Sequence, residues 1–468
     1  MKKNIIIFLN QTSLSHTQLL QKKFLLELSR NFNLFIISNY DLTQIKFLSE
    51  IPHKKINYKF KKKNKLYYLI REINLNTTLN HKKNKTISDF SDIYINQKIH
   101  EGKKNFLFVN FFKILQSILQ FKIFLNLFQK IQEILFYDKN LLRIIKEINP
   151  YLILTSSPGW WEDDNILLFT SKKIKTKTVS ILSSWDQPTG MGLIPCECDY
   201  FIVWSNQMKN DLLKFHKIDA YKIKILGAIH WDHYFKKIYK IKNIKKKTIT
   251  LYLKSPTRTK SSEVINFCKA LSKINLNQNF DIIVRPHPIY YSQRYLKEFY
   301  KLKSSFKKFG NLKVQDLYPN KKLKKLLGEN NKSLQIPFLI NNEEESKKLA
   351  LKTIITSDVI INFFSTVNIE ASILNKPIIN LNYSKKNKKS KMLSKKNLYL
   401  DQAQNHIQNI HNFKFSKTCN SLFELRIEIK KVFNNPNFKA REQKMFTNYM
   451  IDKKGDSIKR IAEFVNNI

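Results

Sequence analysis

The stretch that most constrains the fold covers residues 357–380 and reads SDVIINFFSTVNIEASILNKPIIN. Its apolar runs predict two buried strands, Val359–Asn362 and Ile378–Leu381, on either side of a polar turn and a short helix over Val367–Leu374. A helix that connects two strands in this way allows the strands to lie side by side and parallel. The segment therefore predicts a parallel α/β sheet.

The turn before this helix contains Ser365 and Thr366, whose hydroxyl groups can cap the helix. A capped helix start leaves backbone N–H groups and the positive end of the dipole facing outward, which suits a phosphate. Glu370 follows one turn later on the same face, where its carboxylate could accept two ribose hydroxyls. Two interpretations stay open: a nucleotide site, or a plain strand–helix–strand unit with a capping hydroxyl and a solvated glutamate.

The same alternation of strands and helices recurs in two blocks, which a lysine-rich linker over residues 239–247 separates. We expect two tandem Rossmann-like, doubly wound α/β domains with a cleft between them, because each block has its own strand and helix pattern. The expected divisions are residues 1–238 with an irregular insertion at about 41–104, residues 248–440, and a helical tail over residues 441–468 that packs back on the domains.

An amphipathic helical region lies within the first block, over about residues 106–148. Its polar residues between Phe106 and Tyr137 recur at spacings of three and four, which predicts one long helix or two short ones. The favoured interpretation packs the apolar face on the domain core. The alternative is an interfacial helix on an anionic inner membrane. Apolar runs are too short for a membrane span, so we expect a cytoplasmic protein. Association with the cytoplasmic face of the membrane belongs to the alternative, interfacial interpretation.

The charge balance is strongly basic, with 83 Lys and Arg against 36 Asp and Glu, a formal net charge of +47. Such a balance favours nucleic acid or anionic membrane as a partner. The lysines are nevertheless spread along the chain, and Asn, Ile, Phe and Tyr are also abundant while Gly and Pro are scarce. This bias indicates A/T-rich codons, so we expect no nucleic-acid partner. A basic nucleic-acid-binding protein stays as a competing hypothesis, which predicts steeply salt-dependent binding.

No metal and no cofactor are predicted. The four cysteines form neither a disulfide framework nor a zinc-ligand spacing, which fits a reducing cytoplasm. The sequence also contains no GxxxxGK[ST], GxGxxG, HExxH or GxSxG motif in the required context. These absences argue against the NTPases, dinucleotide enzymes, zinc proteases and serine hydrolases that depend on those motifs.

Polar loops follow the predicted strands of the second domain, at the sheet edge where ligands bind in open parallel sheets. One loop contains Arg258, and another contains Arg285 and His287 in the sequence RPHP. Arginine binds phosphate oxygens bidentately, and the two prolines hold the chain extended so that both side chains point outward. With Glu370 and the helix start, these residues predict a pocket for a nucleotide diphosphate. The alternative for RPHP is a structural turn.

The strand-end loops of the first domain combine aromatic rings with carboxylates, a pairing that suits the apolar faces and hydroxyl edges of sugars. Trp160 and Trp185 are the predicted acceptor-side rings. Asp186, His16 and Asp163 are candidates for the base that deprotonates an acceptor hydroxyl. Each of the three also fits a structural role, as a cap or a residue at a helix start.

The order of these motifs resembles that of bacterial glycosyltransferase-like proteins of the GT-B fold. The segments that carry the resemblance are SSWDQPTGMGLIPCECDYFIVW, LGAIHWDHYF, RPHP and SDVIINFFSTVNIEAS. The last two are also similar to enzymes of surface-polysaccharide and teichoic-acid synthesis, the CDP-glycerol glycerophosphotransferases included, and to non-hydrolysing UDP-N-acetylglucosamine epimerases. The resemblance covers roughly residues 150–235 and 248–465.

The resemblance implies that the second domain binds a nucleotide-sugar donor and the first domain an acceptor, without an obligatory metal. By position, Ser365 and Thr366 would meet the diphosphate, Glu370 the ribose, and Arg285 and His287 the donor side. We therefore predict a glycosyltransferase that moves a sugar from a nucleotide-diphosphate donor to a surface-glycan or lipid-linked acceptor. An epimerase or a glycerophosphate or polyol-phosphate transferase on the same fold is the alternative.

Overall fold

Two parallel β-sheets, one of seven strands and one of six, organise the chain in a computed structural model. The residues that this structure describes are 2–10, 18–38, 42–43, 45–60, 63–88, 91, 106–235, 246–256, 259, 261–274, 276, 279–291, 293–317, 343–382, 404–435 and 437–468.

The first sheet has the strand order β3-β2-β1-β4-β5-β6-β7, and all of its neighbouring strands are parallel. Its strands are β1 Lys3–Leu9, β2 Phe32–Ser38, β3 His53–Asn57, β4 Leu152–Thr155, β5 Lys177–Ile181, β6 Tyr200–Val203 and β7 Ile223–Ile225.

The second sheet repeats this arrangement with the order β10-β9-β8-β11-β12-β13, again with parallel neighbours. Its strands are β8 Lys247–Tyr252, β9 Phe280–Arg285, β10 Leu312–Val314, β11 Val359–Asn362, β12 Ile378–Leu381 and β13 Lys417–Cys419. In both sheets the first six strands lie in the order third, second, first, fourth, fifth, sixth, as in doubly wound dinucleotide-binding folds, and β7 extends the first sheet by one strand. The predicted fold class, two Rossmann-like domains in tandem, is confirmed.

Helices connect most of these strands and cover both faces of the sheets. In chain order they are α1 Lys22–Asn31, α2 Lys65–Asn76, α3 Phe106–Ile118, α4 Lys122–Leu135, α5 Lys139–Ile148, α6 Glu162–Lys172, α7 Gln187–Gly190, α8 Asn206–His216, α9 Ser261–Ser272, α10 Leu296–Phe306, α11 Glu343–Thr356, α12 Val367–Ile373, α13 Asn405–His411, α14 Leu422–Asn434, α15 Ala440–Met450 and α16 Ser457–Asn467.

Helix α5 shows how local sequence sets these boundaries. It begins after Asp138, whose carboxylate accepts hydrogen bonds from backbone N–H groups of the first turn. It ends at Asn149, which has left-handed backbone angles and precedes a proline. Between these ends, the buried residues Leu141, Ile145 and Ile148 form one apolar stripe against the sheet. Complete burial of one such side chain stabilises the fold by about 1.5–3 kcal/mol.

The part of the region 41–104 that the structure describes is more regular than the sequence indicated. Its strand β3 pairs in parallel with β2 at the edge of the first sheet, and its helix α2 is twelve residues long. The strand HKKIN has only one aliphatic residue, so it lacks the apolar run that identified the central strands. An edge strand needs less apolar surface, and lysines are common there.

The C-terminal helices bring the chain back to the first domain. Helix α16 buries Ile461, Ala462 and Val465 in the same apolar cluster as strands β1 and β2. The Arg460 side chain fixes this helix by donating from Nε to the backbone carbonyl oxygen of Leu226, at 3.0 Å. The end of the chain therefore packs on the sheet that its beginning forms.

The amphipathic region forms two short helices, α3 and α4, but their apolar faces point away from the domain core. Ile114, Ile123 and Leu127 are among the large hydrophobic residues that remain exposed on them. The favoured interpretation, an apolar face packed on the core, is therefore wrong. Among the helices of the described residues, none is both long enough and apolar enough to cross a membrane.

Candidate functional site

The two domains touch through segments that follow strands in both sheets. Trp185, after β5, donates from Nε1 to the Thr366 hydroxyl after β11, at 3.4 Å. Tyr234, in a short 3-10 helix after β7, donates its hydroxyl to Oε2 of Glu370 on α12, at 2.9 Å. Because ligands of open parallel sheets bind beyond the carboxyl ends of strands, this contact region is the candidate site.

A cluster of four polar side chains lies at the centre of this region, and we call it the tyrosine–arginine cluster: Tyr234, Tyr252, Arg285 and Glu370. The Arg285 guanidinium lies 5.8 Å from the ring centroid of Tyr252, and the residue is only 9% exposed. The Tyr252 hydroxyl is buried and has no hydrogen-bond partner among the described residues. A buried hydroxyl without a partner is costly, so this atom is suited to a ligand or an ordered water.

The electrostatics of the cluster keep both phenols protonated. Burial raises the pKa of Tyr234 and of Tyr252, and the nearby Glu370 carboxylate raises both further. Burial also raises the pKa of Glu370, whereas the hydrogen bond from Tyr234 and the positive charge of Arg285 lower it. The cluster therefore contains one fixed cation, one carboxylate that accepts the Tyr234 hydroxyl, and a further hydroxyl donor, that of Tyr252.

A second layer of side chains holds Arg285 in place. Its Nη1 donates to Oε1 of Gln315, and Nε2 of Gln315 donates to the Thr353 hydroxyl at 2.6 Å. Arg285 is the last residue of β9, and it points into the protein. The prediction that both side chains of RPHP point outward is thus wrong for Arg285. His287 does lie exposed, and its Nδ1 accepts the Ile289 N–H at 3.2 Å.

The loop between β11 and α12 differs from the prediction in which side chain accepts hydrogen bonds from its backbone N–H groups. Neither Ser365 nor Thr366 caps the helix: Thr366 has helical angles (φ −53°, ψ −24°), and its side chain makes no cap hydrogen bond. The Asn362 side chain accepts the Ser365 N–H instead, at 2.9 Å. The predicted cap is wrong, because a residue that already belongs to the helix cannot turn its hydroxyl back to the first amides. Helix α12 is also short, at seven residues.

The first-domain side of the site contains Trp185 and Asp186. Trp185 is buried, and its ring packs edge-on against His406 with centroids 4.8 Å apart. Asp186 is half-buried at the start of α7, where its carboxylate accepts a hydrogen bond from the Ser184 hydroxyl. The structure thus brings Trp185 to Thr366 across the domain contact, with Asp186 next to it in the chain.

The other predicted residues of the first domain lie at the loop after β4. Trp160 is half-buried and stacks on Trp161, with ring centroids 6.5 Å apart. Asp163 is buried in the first turn of α6. His16 and Arg258 lie outside the described residues. The roles assigned to all of these residues stay predictions.

His230 also lies at a strand end of the first domain, and the sequence did not predict it as a candidate site residue. It lies in the segment after β7, where its Nδ1 contacts Nε2 of Gln18 and its ring lies 4.8 Å from that of Trp204. Burial and the positive charge of Lys347 lower its pKa well below the ordinary histidine range, so the imidazole is neutral at pH 7. Lys347 belongs to α11 of the second domain and donates to Gln21 at 3.1 Å. A lone histidine has no spacing signal, and only its strand-end position could have pointed to it.

In the part of the chain that the structure describes, no three His, Cys, Asp or Glu side chains lie close enough together to bind a metal ion. The four cysteines are buried free thiols. The expectation that the protein uses neither a metal nor a cofactor stays a prediction.

Two solved structures are similar to the whole chain. A glycosyltransferase from Rickettsia africae aligns with a TM-score of 0.50 at 14% identity, over 100% of this chain and 98% of that chain. A putative UDP-N-acetylglucosamine 2-epimerase from Listeria monocytogenes aligns with a TM-score of 0.51 at 10% identity, over 100% and 97%. No protein-family model and no curated protein matches the sequence. Similarity at this level of identity concerns the fold alone, and the fold of this chain is the two-domain GT-B fold.

Proposed function

We propose that this protein is a glycosyltransferase that moves a sugar from a nucleotide-diphosphate donor to a surface-glycan or lipid-linked acceptor, without a metal or cofactor. The observation that carries the proposal is the tyrosine–arginine cluster, in which a buried cation and a carboxylate meet at the contact of two GT-B domains. The similarity to a glycosyltransferase fold supports it. A lipid-linked acceptor would place the reaction at the cytoplasmic face of a membrane.

Donor binding would use the second domain. Nη1 of Arg285 donates to Gln315, and the other N–H groups of the guanidinium can bind diphosphate oxygens. Glu370 holds one carboxylate oxygen on Tyr234, so its second oxygen is available to a ribose hydroxyl. The Tyr252 hydroxyl can donate a further hydrogen bond to the donor. The phosphates would lie beside Thr366, in the loop after β11. Ser365, His287 and Arg258 stay as predicted members of this donor site.

Transfer would proceed by direct displacement. The acceptor oxygen forms a bond to the anomeric carbon of the sugar as the bond from that carbon to the diphosphate oxygen breaks, and the electron pair leaves with the diphosphate. Asp186, half-buried on the first-domain side, is the proposed acceptor of the hydroxyl proton, with His16 as the other candidate. Arg285 stabilises the charge that develops on the leaving group, since a fixed cation needs no reorganisation. Trp160 and Trp185 would bind the acceptor sugar by ring contact.

A nucleotide-sugar epimerase is the second candidate, and the similarity to a putative epimerase fold favours keeping it. A glycerophosphate or polyol-phosphate transferase would use the same domains. Product analysis with labelled nucleotide-sugars and CDP-polyols separates the three activities. An epimerase changes its substrate without an acceptor, whereas both transferases release a nucleotide only when an acceptor is present.

The donor assignment can be tested with Glu370→Gln. The glutamine carbonyl oxygen can still accept the Tyr234 hydroxyl, so the domain contact is kept while the charge at the ribose position is lost. We expect a thermal-shift screen of UDP-, GDP-, CDP- and CMP-sugars to identify one donor for the wild type. Glu370→Gln should weaken binding of that donor by about tenfold, since hydrogen bonds to a charged group contribute about 1.5–3 kcal/mol.

The matched control is Glu147→Gln on α5, whose side chain is 68% exposed in the first domain. It removes the same charge and should leave donor affinity unchanged. Equal donor affinity in Glu370→Gln and wild type would show that this carboxylate does not bind the donor. A wild-type protein whose melting temperature moves with none of these ligands would contradict the proposed function itself.

A further inference from the structure

We infer that the outward face of helices α3 and α4 is a docking surface for an anionic lipid bilayer. Large hydrophobic side chains cover this face, which we call the outer apolar face: Phe121 is 65% exposed, Ile123 81%, Leu127 57% and Ile114 59%. Contiguous exposed apolar surface of this kind marks an interaction site in most proteins. The inference needs no nucleotide binding, and lipid binding rather than sugar transfer tests it.

The orientation of the two helices is fixed by their polar side, which faces the protein. Glutamine amides on this side bond to α2, to the residues just after it, and to the segment after α7. The four hydrogen bonds join Gln116 Nε2 to Asn76 O at 2.6 Å, Gln120 Nε2 to Thr78 O at 3.0 Å, Gln129 Nε2 to Ile194 O at 2.7 Å, and Asn74 Nδ2 to Gln132 Oε1 at 2.7 Å. Rotation of either helix to bury its apolar face would break these bonds and leave buried amides unpaired. The outward apolar face is therefore a built feature of the fold.

Both helices rest on the same support, which places their outer sides on one side of the domain. Leu119 and Leu125, which flank the turn between them, pack in one small apolar cluster with α2 residue Ile73 and with Leu193. Each helix is roughly 20 Å long at a rise of about 1.5 Å per residue. Helices of this length lie in the plane of a membrane interface rather than cross the membrane.

Charge selects an anionic bilayer as the occupant of this face. From residue 106 to 135 the sequence contains three lysines, Lys113, Lys122 and Lys130, and a single acidic residue, Glu133. All three lysines are exposed, whereas the Glu133 side chain is only 17% exposed. Lys217, from the end of α8, also reaches the turn between the helices, where its Nζ donates to the backbone oxygen of Gln120 at 3.1 Å. Lysines beside an apolar face attract anionic lipid headgroups.

The same charges argue against a second copy of the chain as the occupant. A two-fold contact would bring the outer apolar face of one copy against that of the other, and their lysines would meet lysines. The chain as a whole carries a formal net charge of +47, so two copies repel each other at a distance as well. An anionic bilayer neutralises these charges instead.

The test is co-sedimentation of the full-length protein with phosphatidylcholine vesicles that contain or lack phosphatidylglycerol. We expect wild type to bind the phosphatidylglycerol vesicles, and the double variant Ile123→Glu, Leu127→Glu to bind at least about tenfold more weakly, because each burial of an aliphatic side chain is lost. The matched control is Phe423→Glu on α14, another side chain that is 71% exposed, in the second domain. It should bind vesicles as wild type does.

A second variant, Lys113→Gln with Lys122→Gln, separates charge from apolar contact. It should lose about fivefold per lysine on phosphatidylglycerol vesicles and change little on phosphatidylcholine alone. Circular dichroism and the melting temperature check that each variant is folded, which we expect because the substituted side chains are exposed.

Three results would overturn the inference. The first is no binding of wild type to phosphatidylglycerol vesicles. The second is equal binding by wild type and the Ile123→Glu, Leu127→Glu variant. The third is a wild-type dimer by light scattering that this variant converts to a monomer, which would assign the outer apolar face to a second copy of the chain.

Discussion

The fourth strand of each sheet, β4 or β11, ends in a loop that leads into a helix. Different kinds of side chain accept hydrogen bonds from the backbone N–H groups of the two loops. After β4, the buried Asp164 carboxylate accepts the N–H groups of Ser156 at 3.4 Å and Ser157 at 3.3 Å. After β11, the neutral amide of Asn362 accepts the N–H of Ser365. A carboxylate accepts the backbone N–H groups of the first loop, whereas a neutral amide accepts that of the second. Equivalent positions of one fold can therefore differ in whether they are open to an anionic ligand.

Further donors surround Asp164 and complete the difference between the loops. The Thr155 hydroxyl and Nδ2 of Asn10, at the end of β1, both donate to the Asp164 carboxylate. Burial raises the pKa of Asp164, while these hydrogen bonds lower it. In the second domain the corresponding region contains asparagines: Nδ2 of Asn362 donates to Oδ1 of Asn368 at 2.9 Å. Backbone N–H groups of the first loop thus bond to a charged side chain and that of Ser365 in the second loop to a neutral one, while the Glu370 carboxylate of α12 bonds to Tyr234.

The largest effect is expected from removal of the buried carboxylate. Asp164→Ala leaves the Ser156 and Ser157 amides, the Thr155 hydroxyl and the Asn10 amide without their acceptor. We expect the free energy of unfolding, measured by urea denaturation, to fall by about 3–5 kcal/mol, because several buried donors lose their acceptor at once. Removing an exposed carboxylate, Asp452→Ala, is the control and should change it by less than about 1 kcal/mol. A similarly small loss for Asp164→Ala would mean that other groups can accept the hydrogen bonds of this loop. The proposed difference between the two loops would then be wrong.

Much of the fold could be predicted because parallel strands are buried on both faces. Such strands are continuous apolar runs, and the run at Val359–Asn362 gave both ends of β11 correctly. The amphipathic pattern of α3 and α4 predicted the helices correctly, but the apolar face that we expected on the core faces outward. Periodicity defines an apolar face; it does not say whether that face meets the core or the solvent, and here glutamine contacts decide.

The candidate site could be predicted only in part, and distance along the chain explains the remainder. Arg285 and Glu370 follow from strand-end position. Tyr234 contacts Glu370 from 136 residues away in the sequence. Tyr252 joins them from the last position of β8, where a tyrosine at the end of an apolar run looks like part of a core strand. The cap predicted at Ser365 or Thr366 was wrong because capping depends on backbone angles, here those of Thr366, which the residue type does not determine.

A substitution can convert the second loop into the first. Asn362→Asp introduces a carboxylate that can still accept the Ser365 N–H. Asn368, whose buried Nδ2 has no hydrogen-bond partner among the residues that the structure describes, can turn its amide to donate to this carboxylate. The variant should therefore fold. The added charge should weaken binding of the donor nucleotide-sugar by about tenfold or more, because like charges in close contact are unfavourable.

Titration calorimetry with the donor found for wild type measures this effect. Asn140→Asp adds the same charge at an exposed position in the first turn of α5, far from the loop in the sequence, and should leave donor affinity unchanged. A folded Asn362→Asp variant with wild-type affinity would show that charge at this loop does not govern donor binding. The difference between the loops would then concern stability alone.

The smallest effect concerns the hydrogen bond that links the second loop to the first domain. Thr366→Val removes the hydroxyl that accepts Nε1–H of Trp185 at 3.4 Å and keeps the side-chain volume. We expect a loss of about 0.5–1 kcal/mol in the free energy of unfolding, because the bond is long and neutral. Thr366→Ser keeps the hydroxyl and should stay within a few tenths of a kcal/mol of wild type. If serine costs more than valine, the methyl group of Thr366 matters more than its hydroxyl, and packing rather than hydrogen bonding holds this loop against the first domain.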